Sequence, residues 1–117
     1  MVTGKNKEQF EKWFTDNYDS EFMPDDKFSR YIWFIKQPFE MQIGVYLAYY
    51  DSFGYFIEIK MLESSKDWIY QIWGIDIMSP LFKMAEMDVI EIPESRNEAY
   101  QEAFKKADEL INQINKH

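Results

Sequence analysis

The chain has no cysteine and a single histidine, His117 at its last position. The missing thiols exclude disulfides, thiolate nucleophiles and cysteine-based metal sites. Without an internal histidine, nucleophilic triads and zinc centres built on imidazole are also excluded, and a terminal His117 is expected to be disordered. No Gly-rich phosphate loop, dinucleotide fingerprint or nucleophile elbow occurs. Nor does any apolar run approach the ~18 residues that span a bilayer. Met1 leads into the polar segment VTGKNKEQ rather than an apolar signal region. These absences predict a soluble, cytoplasmic protein with no membrane partner and no cofactor.

Positive charge is also scarce: 13 Lys and Arg stand against 21 Asp and Glu, a formal net charge of −8. A field of that sign repels phosphate backbones and attracts basic surfaces. Direct nucleic-acid binding is therefore disfavoured. Aromatic residues, by contrast, are abundant, with ten Phe, eight Tyr and four Trp making up 19% of the chain. Rings bury much area per residue, and this number exceeds what one small core is expected to absorb. The surplus is expected at the surface, as anchors for a partner.

At 117 residues the length fits one domain, 1–117. Asn6 with Gln9 resembles a capping box ahead of Phe10, Trp13 and Phe14, which predicts a helix over about 7–18. The segment 16–26 is acidic, contains Pro24 and reads as a loop. Over 27–37, period-two alternation of aromatic and β-branched residues suggests a short extended segment. Pro38 suits a first helical position, and 39–53 is apolar nearly all round, the mark of a sandwiched helix. Gly44 within it suggests close approach to another element, and Gly54 a left-handed cap. Residues 55–62 alternate, with Ile57, Ile59 and Met61 inward and Phe56, Glu58 and Lys60 outward. A polar turn over 63–67 and a strand over 68–77 complete an antiparallel hairpin, and apolar residues on both faces of that strand either place it centrally or leave two rings exposed. Residues 78–85 read as a connecting loop and 87–92 as a third strand. Ser95 with Glu98 forms a capping box, after which Ala99, Ala103, Ala107, Leu110, Ile111 and Ile114 trace one stripe of a closing helix. The fold class expected is α+β: a small antiparallel sheet of about three strands against N-terminal, central and C-terminal helices.

For chemistry, Asp51 with Glu58-Ile59-Lys60 faintly resembles the carboxylate-and-lysine arrangement of metal-dependent nucleases. The competing interpretation is the ordinary solvated face of an amphipathic strand. The acids Asp16, Asp19, Glu21, Asp25 and Asp26 lack the spacing and central glycine of a calcium loop, so no metal is expected. With the second acidic group, Glu86, Asp88, Glu91 and Glu94, they could form a phosphate-like surface facing a basic groove. Tyr31, Trp33, Trp68 and Trp73 could stack bases, although no basic groove accompanies them. Tyr31 and Trp33 join the two acidic groups as the candidate protein-binding residues.

The block QIGVYLAYYDSFGYFIEI, and after it SRNEAYQEAFKKADELIN, resembles small phage- and prophage-encoded α+β accessory proteins. In these a helix ending in an Asp-Ser-x-Gly turn leads into a strand, and an alanine-striped helix closes the chain. The matching positions are Gly44, Val45, Tyr46, Asp51, Ser52, Gly54, Ile57 and Ile59, then Arg96, Glu98, Ala99, Ala103, Ala107 and Asn112. The segment 63–93 lies outside the resemblance. It implies a non-enzymatic protein that binds and inhibits a host nucleic-acid-handling protein with a basic surface, such as an RNA-guided nuclease of a CRISPR system. The alternatives are a nucleic-acid-binding module that uses its rings and, behind it, the metal-dependent nuclease.

Overall fold

A computed structural model describes residues 2–18, 27–63, 65, 67–74, 82–86 and 95–114. The elements run α1 (Gly4–Asn17), α2 (Lys27–Ile35), α3 (Phe39–Ser52), β1 (Tyr55–Met61), β2 (Trp68–Gly74), β3 (Phe82–Glu86) and α4 (Arg96–Ile114). The three strands pair antiparallel in the order β1-β2-β3, as an α+β fold requires. The central strand is β2, the first of the two outcomes its apolar faces allow. The β1–β2 hairpin keeps an unbroken register from Tyr55 opposite Gly74 to Met61 opposite Trp68. A bulge between Ile72 and Trp73 interrupts the register of β2 with β3.

Helices α3 and α4 pack on one face of the sheet, and α1 and α2 pack on the helices. Tyr55, Ile57 and Ile59 of β1, with Tyr70 and Ile72 of β2, point towards α3 and α4. Tyr50, Ala107, Leu110 and Ile111 meet Tyr55, Ile72 and Met84 along the seam between helices and sheet. Small Ala103 and Ala107 bring the α4 backbone close to the strands, as the alanine stripe implies. Ser95 caps α4, its Oγ accepting the Glu98 N–H at 3.2 Å. The stripe ends before Ile114, which is exposed.

Beyond α4 the core is almost wholly aromatic. Phe10, fully buried, lies within ring contact of Trp13, Phe14, Tyr31, Phe34, Tyr46 and Tyr49. Tyr46 and Tyr50 then pass the stack on to Phe104 of α4. The core thus absorbs most of the surplus rings. Among the aromatic residues whose side chains are described, Phe53 and Phe56 are the exposed ones.

Several expectations are corrected. Residues 27–35 form a helix rather than an extended segment, and its 3.6-residue period buries Arg30, Tyr31 and Phe34 together. Aromatic residues are only mildly disfavoured in helices, and burying Phe34 against Phe10, Phe14 and Tyr46 outweighs that preference. The buried Arg30 also donates from Nη1 to the Thr15 and Tyr18 carbonyls at 3.3 and 3.1 Å, satisfying the C-terminal end of α1. The third strand occupies Phe82–Glu86, within the expected loop, while the expected strand at 87–92 lies outside the described residues. The second strand is present over Trp68–Gly74, and the remainder of the expected strand, 75–77, lies outside the described residues. Pro38 caps α3 from outside, its carbonyl accepting the Met41 and Gln42 amides. A Cβ added at Gly44 would meet nothing within 4 Å among the described residues, so no close approach by any of them accounts for that glycine. Gly54 does adopt the left-handed conformation, with φ 84°. Met61, placed on the inward face by alternation, is 46% exposed at the turn end of the hairpin, where it pairs with Trp68.

Candidate functional site

The first polar constellation is structural, and it joins the two ends of the described chain. Helix α1 begins at Gly4, with Thr3 as its N-cap residue, so Asn6 lies inside the helix rather than capping it. Asn6 is fully buried. Its Nδ2 donates to Asp108 Oδ1 at 2.8 Å and to the Tyr50 hydroxyl at 3.1 Å, while its Oδ1 accepts from the Tyr49 hydroxyl at 2.6 Å. Asp108 also accepts the Thr3 N–H at 2.8 Å and the Thr3 hydroxyl at 2.6 Å. Asn112 supplies the missing cap: its Oδ1 accepts the Asn6 N–H at 3.0 Å, and its Nδ2 donates to the Thr3 carbonyl at 3.0 Å. A helix start normally leaves such amides unsatisfied. Gly4, at φ 55°, leaves room for this cap, since a Cβ there would lie 3.1 Å from Asn112 Oδ1.

Burial raises the pKa of the Tyr46, Tyr49 and Tyr50 phenols well above the ordinary value, and the charge of Asp108 adds to the rise in each. For Tyr50 the hydrogen bond from Asn6 pulls the other way. None of Thr3, Asp108 or the buried roles of Asn6 and Asn112 emerges from sequence reasoning, because each bond spans more than a hundred residues. One signal is available. Asp108 falls on the apolar stripe of α4, one turn after Phe104 and one before Ile111, and a buried acid requires donors.

A groove of about 320 Å³ beside α4 is lined by Thr3, Gln101, Glu102, Lys105 and Asp108. Its one buried acid, Asp108, is already held by Thr3, Asn6 and Asn112. The groove offers shape rather than poised acid–base chemistry.

The second constellation is the outer face of β1 and its outer edge, which no other described strand pairs. Phe56, Glu58 and Lys60 project from this face, with Glu58 3.8 Å from Lys60 and accepting the Trp73 Nε1–H at 3.2 Å. Glu58 and Lys60 thus occupy the solvated strand face. Asp51 lies exposed near the C-terminal end of α3, where desolvation raises its carboxyl pKa. Among the described residues no group of three His, Cys, Asp or Glu could hold a metal. Phe53, Phe56, Met61 and Leu62, flanking or within β1, are 36–48% exposed.

Of the candidate binding residues, Tyr31 is only 7% exposed and packs edge-on against Phe10, with Lys7 over its ring at 4.8 Å. It belongs to the core and is not a surface anchor. Trp33 is half-buried against the core. Trp68 carries Arg96 over its ring at 4.8 Å. Asp16 is exposed on the last turn of α1. Glu86 ends β3 opposite Gln71, its backbone alone being described. Asp19, Glu21, Asp25, Asp26, Asp88, Glu91 and Glu94 lie outside the described residues. Among the described residues no helix is long and apolar enough to cross a membrane. Comparisons with family models, curated proteins and solved structures found no match.

Proposed function

We propose that this chain acts by binding a protein rather than by catalysis, and that its partner presents a basic, nucleic-acid-handling surface. The observation that carries the reading is the charge, −8 on 117 residues. A basic groove built for phosphate attracts such a surface and steers its approach. Two further features support the reading. The outer face of β1 sets the Glu58 carboxylate beside Phe56 and Trp73, an unfavourable arrangement for stacking phosphate-bearing bases. In addition, Tyr31 is occupied in the core, which removes one of the rings that base stacking would use. In the phage setting implied by the sequence resemblance, the partner is a host enzyme such as an RNA-guided nuclease, and binding blocks its nucleic-acid channel.

The test is affinity capture from nuclease-treated host lysate, followed by binding to the purified captured protein. Two variants are compared, one with Asp16, Asp19, Glu21, Asp25 and Asp26 neutralised to Asn or Gln, the other with Glu86, Asp88, Glu91 and Glu94 neutralised. The reading expects a basic partner whose affinity falls in at least one neutralised variant and with rising salt. Capture of nucleic acid with no protein partner, or equal binding by both variants and the wild type, refutes it.

A further inference from the structure

The outer edge of β1, which no other described strand pairs, is self-complementary, and we infer that two copies of this chain pair through it, joining their sheets into one continuous antiparallel sheet about a twofold axis at Ile59. The inference is independent of the basic partner proposed above.

The backbone fixes which residues can pair. The Leu62 N–H bonds the Asp67 carbonyl at 2.8 Å, extending the β1–β2 ladder by one residue. In an antiparallel ladder hydrogen-bonded pairs alternate with non-bonded ones. Leu62, Lys60, Glu58 and Phe56 therefore direct their amides and carbonyls to β2. Tyr55, Ile57, Ile59 and Met61 direct theirs outward, where β1 is the edge of the sheet. Among the described residues no other backbone group bonds this outer side. A second strand must accordingly pair its own outward residues with these.

Side chains select the register. Centred on Ile59, the pairing sets Ile59 against Ile59 of the second copy and Ile57 against Met61, both as hydrogen-bonded pairs. On the outer face it sets Glu58 against Lys60, twice by symmetry, and Phe56 against Leu62. These are non-bonded pairs, in which Cα atoms approach to about 4.5 Å and side chains interact most strongly. A register centred on Glu58 would oppose two carboxylates, and one centred on Lys60 two ammonium groups. Both are destabilising. Only the Ile59 register matches opposite charges while covering Phe56, Met61 and Leu62, which are 36%, 46% and 41% exposed. It also accounts for Met61, an apolar side chain on the core-facing side of the strand that the isolated chain leaves in water. An unprotected apolar edge of this kind invites pairing, and here its charge pattern specifies the chain itself as partner.

The experiment is sedimentation velocity over a concentration series with the full chain, Glu58→Lys, Lys60→Glu, an equimolar mixture of these two variants, and the double swap. The wild type is expected to dimerise, and each single variant to self-associate at least about tenfold more weakly, because attraction becomes repulsion at two symmetric positions. The mixture restores pairing, since the edge of the Glu58→Lys variant carries only lysine at these two positions and that of the Lys60→Glu variant only glutamate. The double swap restores it within one chain. Hydrogen exchange adds a backbone readout: the outward Ile59 amide gains protection with concentration, whereas the Glu58 and Lys60 amides are protected throughout. A wild type that stays monomeric at every accessible concentration overturns the inference. So does a dimer indifferent to the single reversals, or one whose loss is not rescued by mixing.

Discussion

The three buried tyrosines make a prediction at high pH. Tyr46, Tyr49 and Tyr50 are each at most 1% exposed. Desolvation first, with smaller contributions from the neighbouring phenols and Asp108, holds their pKa values far above the ordinary 10.0 of a free phenol side chain. In the unfolded chain the same phenols ionise near that ordinary value. Above it the unfolded state therefore binds fewer protons than the folded state, and stability falls as pH rises. The stabilisation is fully present below about pH 10 and drains as pH climbs towards the folded pKa values. Each phenol that stays protonated contributes a loss of about 1.4 kcal/mol per pH unit once its unfolded counterpart is ionised. Together the three remove about 4 kcal/mol at about pH 11 and about 8 kcal/mol at about pH 12. A domain of this size has roughly 5–15 kcal/mol in total. Unfolding is therefore expected between these two pH values where the neutral-pH stability is in the lower part of that range, up to about 8 kcal/mol, and at higher pH where it is greater, and it should be cooperative. Parallel titrations of the tyrosinate absorption band and of far-ultraviolet circular dichroism provide the assay. Late-titrating phenols should ionise in the same narrow step that removes the helical signal. If all the tyrosines ionise smoothly near pH 10 while the helices persist, the burial argument fails.

Three further predictions concern single residues. Asp108→Ala takes the carboxylate acceptor from the buried Asn6 Nδ2 and leaves the exposed Thr3 donors to solvent, and is expected to cost about 1–3 kcal/mol, read from urea unfolding. Tyr46→Phe removes a buried hydroxyl that has no hydrogen-bond partner among the described residues, so its stability should stay within about 1 kcal/mol of wild type or rise, with the alkaline midpoint moving up. Gly44→Ala, in the interior of α3, adds a methyl group that meets nothing among the described residues and should stabilise by about 0.5–1 kcal/mol in thermal unfolding.

Local signals in the sequence carry far, and fail where long-range contacts decide. The central and closing helices, the hairpin and the Ser95 cap follow from periodicity and capping chemistry that neighbours in the chain supply. Residues 27–35 do not, because aromatic residues suit both helix and strand. Only the rings of α1 and α3 settle the matter. Asn6 misleads for a related reason: its side chain suits a cap, yet its partners are Asp108 and Tyr50. The edge of β1 is legible only in part. Alternation places Glu58 and Lys60 outward, but the direction of the backbone groups depends on the Leu62–Asp67 bond. Until that phase is known, a free edge has no register.

The locations of core and edge also separate folding from association. The aromatic stack rests on α1, α2, α3 and α4, and the polar clasp binds residues 3–6 to 108–112. Neither uses the side chains of Glu58 or Lys60, whose ion pair is about half exposed, at 48% and 45%. Exposed pairs of this kind contribute little, and surface substitutions typically stay within about 0.5 kcal/mol. Glu58→Lys and Lys60→Glu should therefore leave monomer stability within that margin when measured below the association threshold, while changing self-association at least about tenfold. A charge reversal that lowered both in proportion would mean that β1 holds its place through those side chains. The edge would then be part of the fold rather than a surface laid upon it.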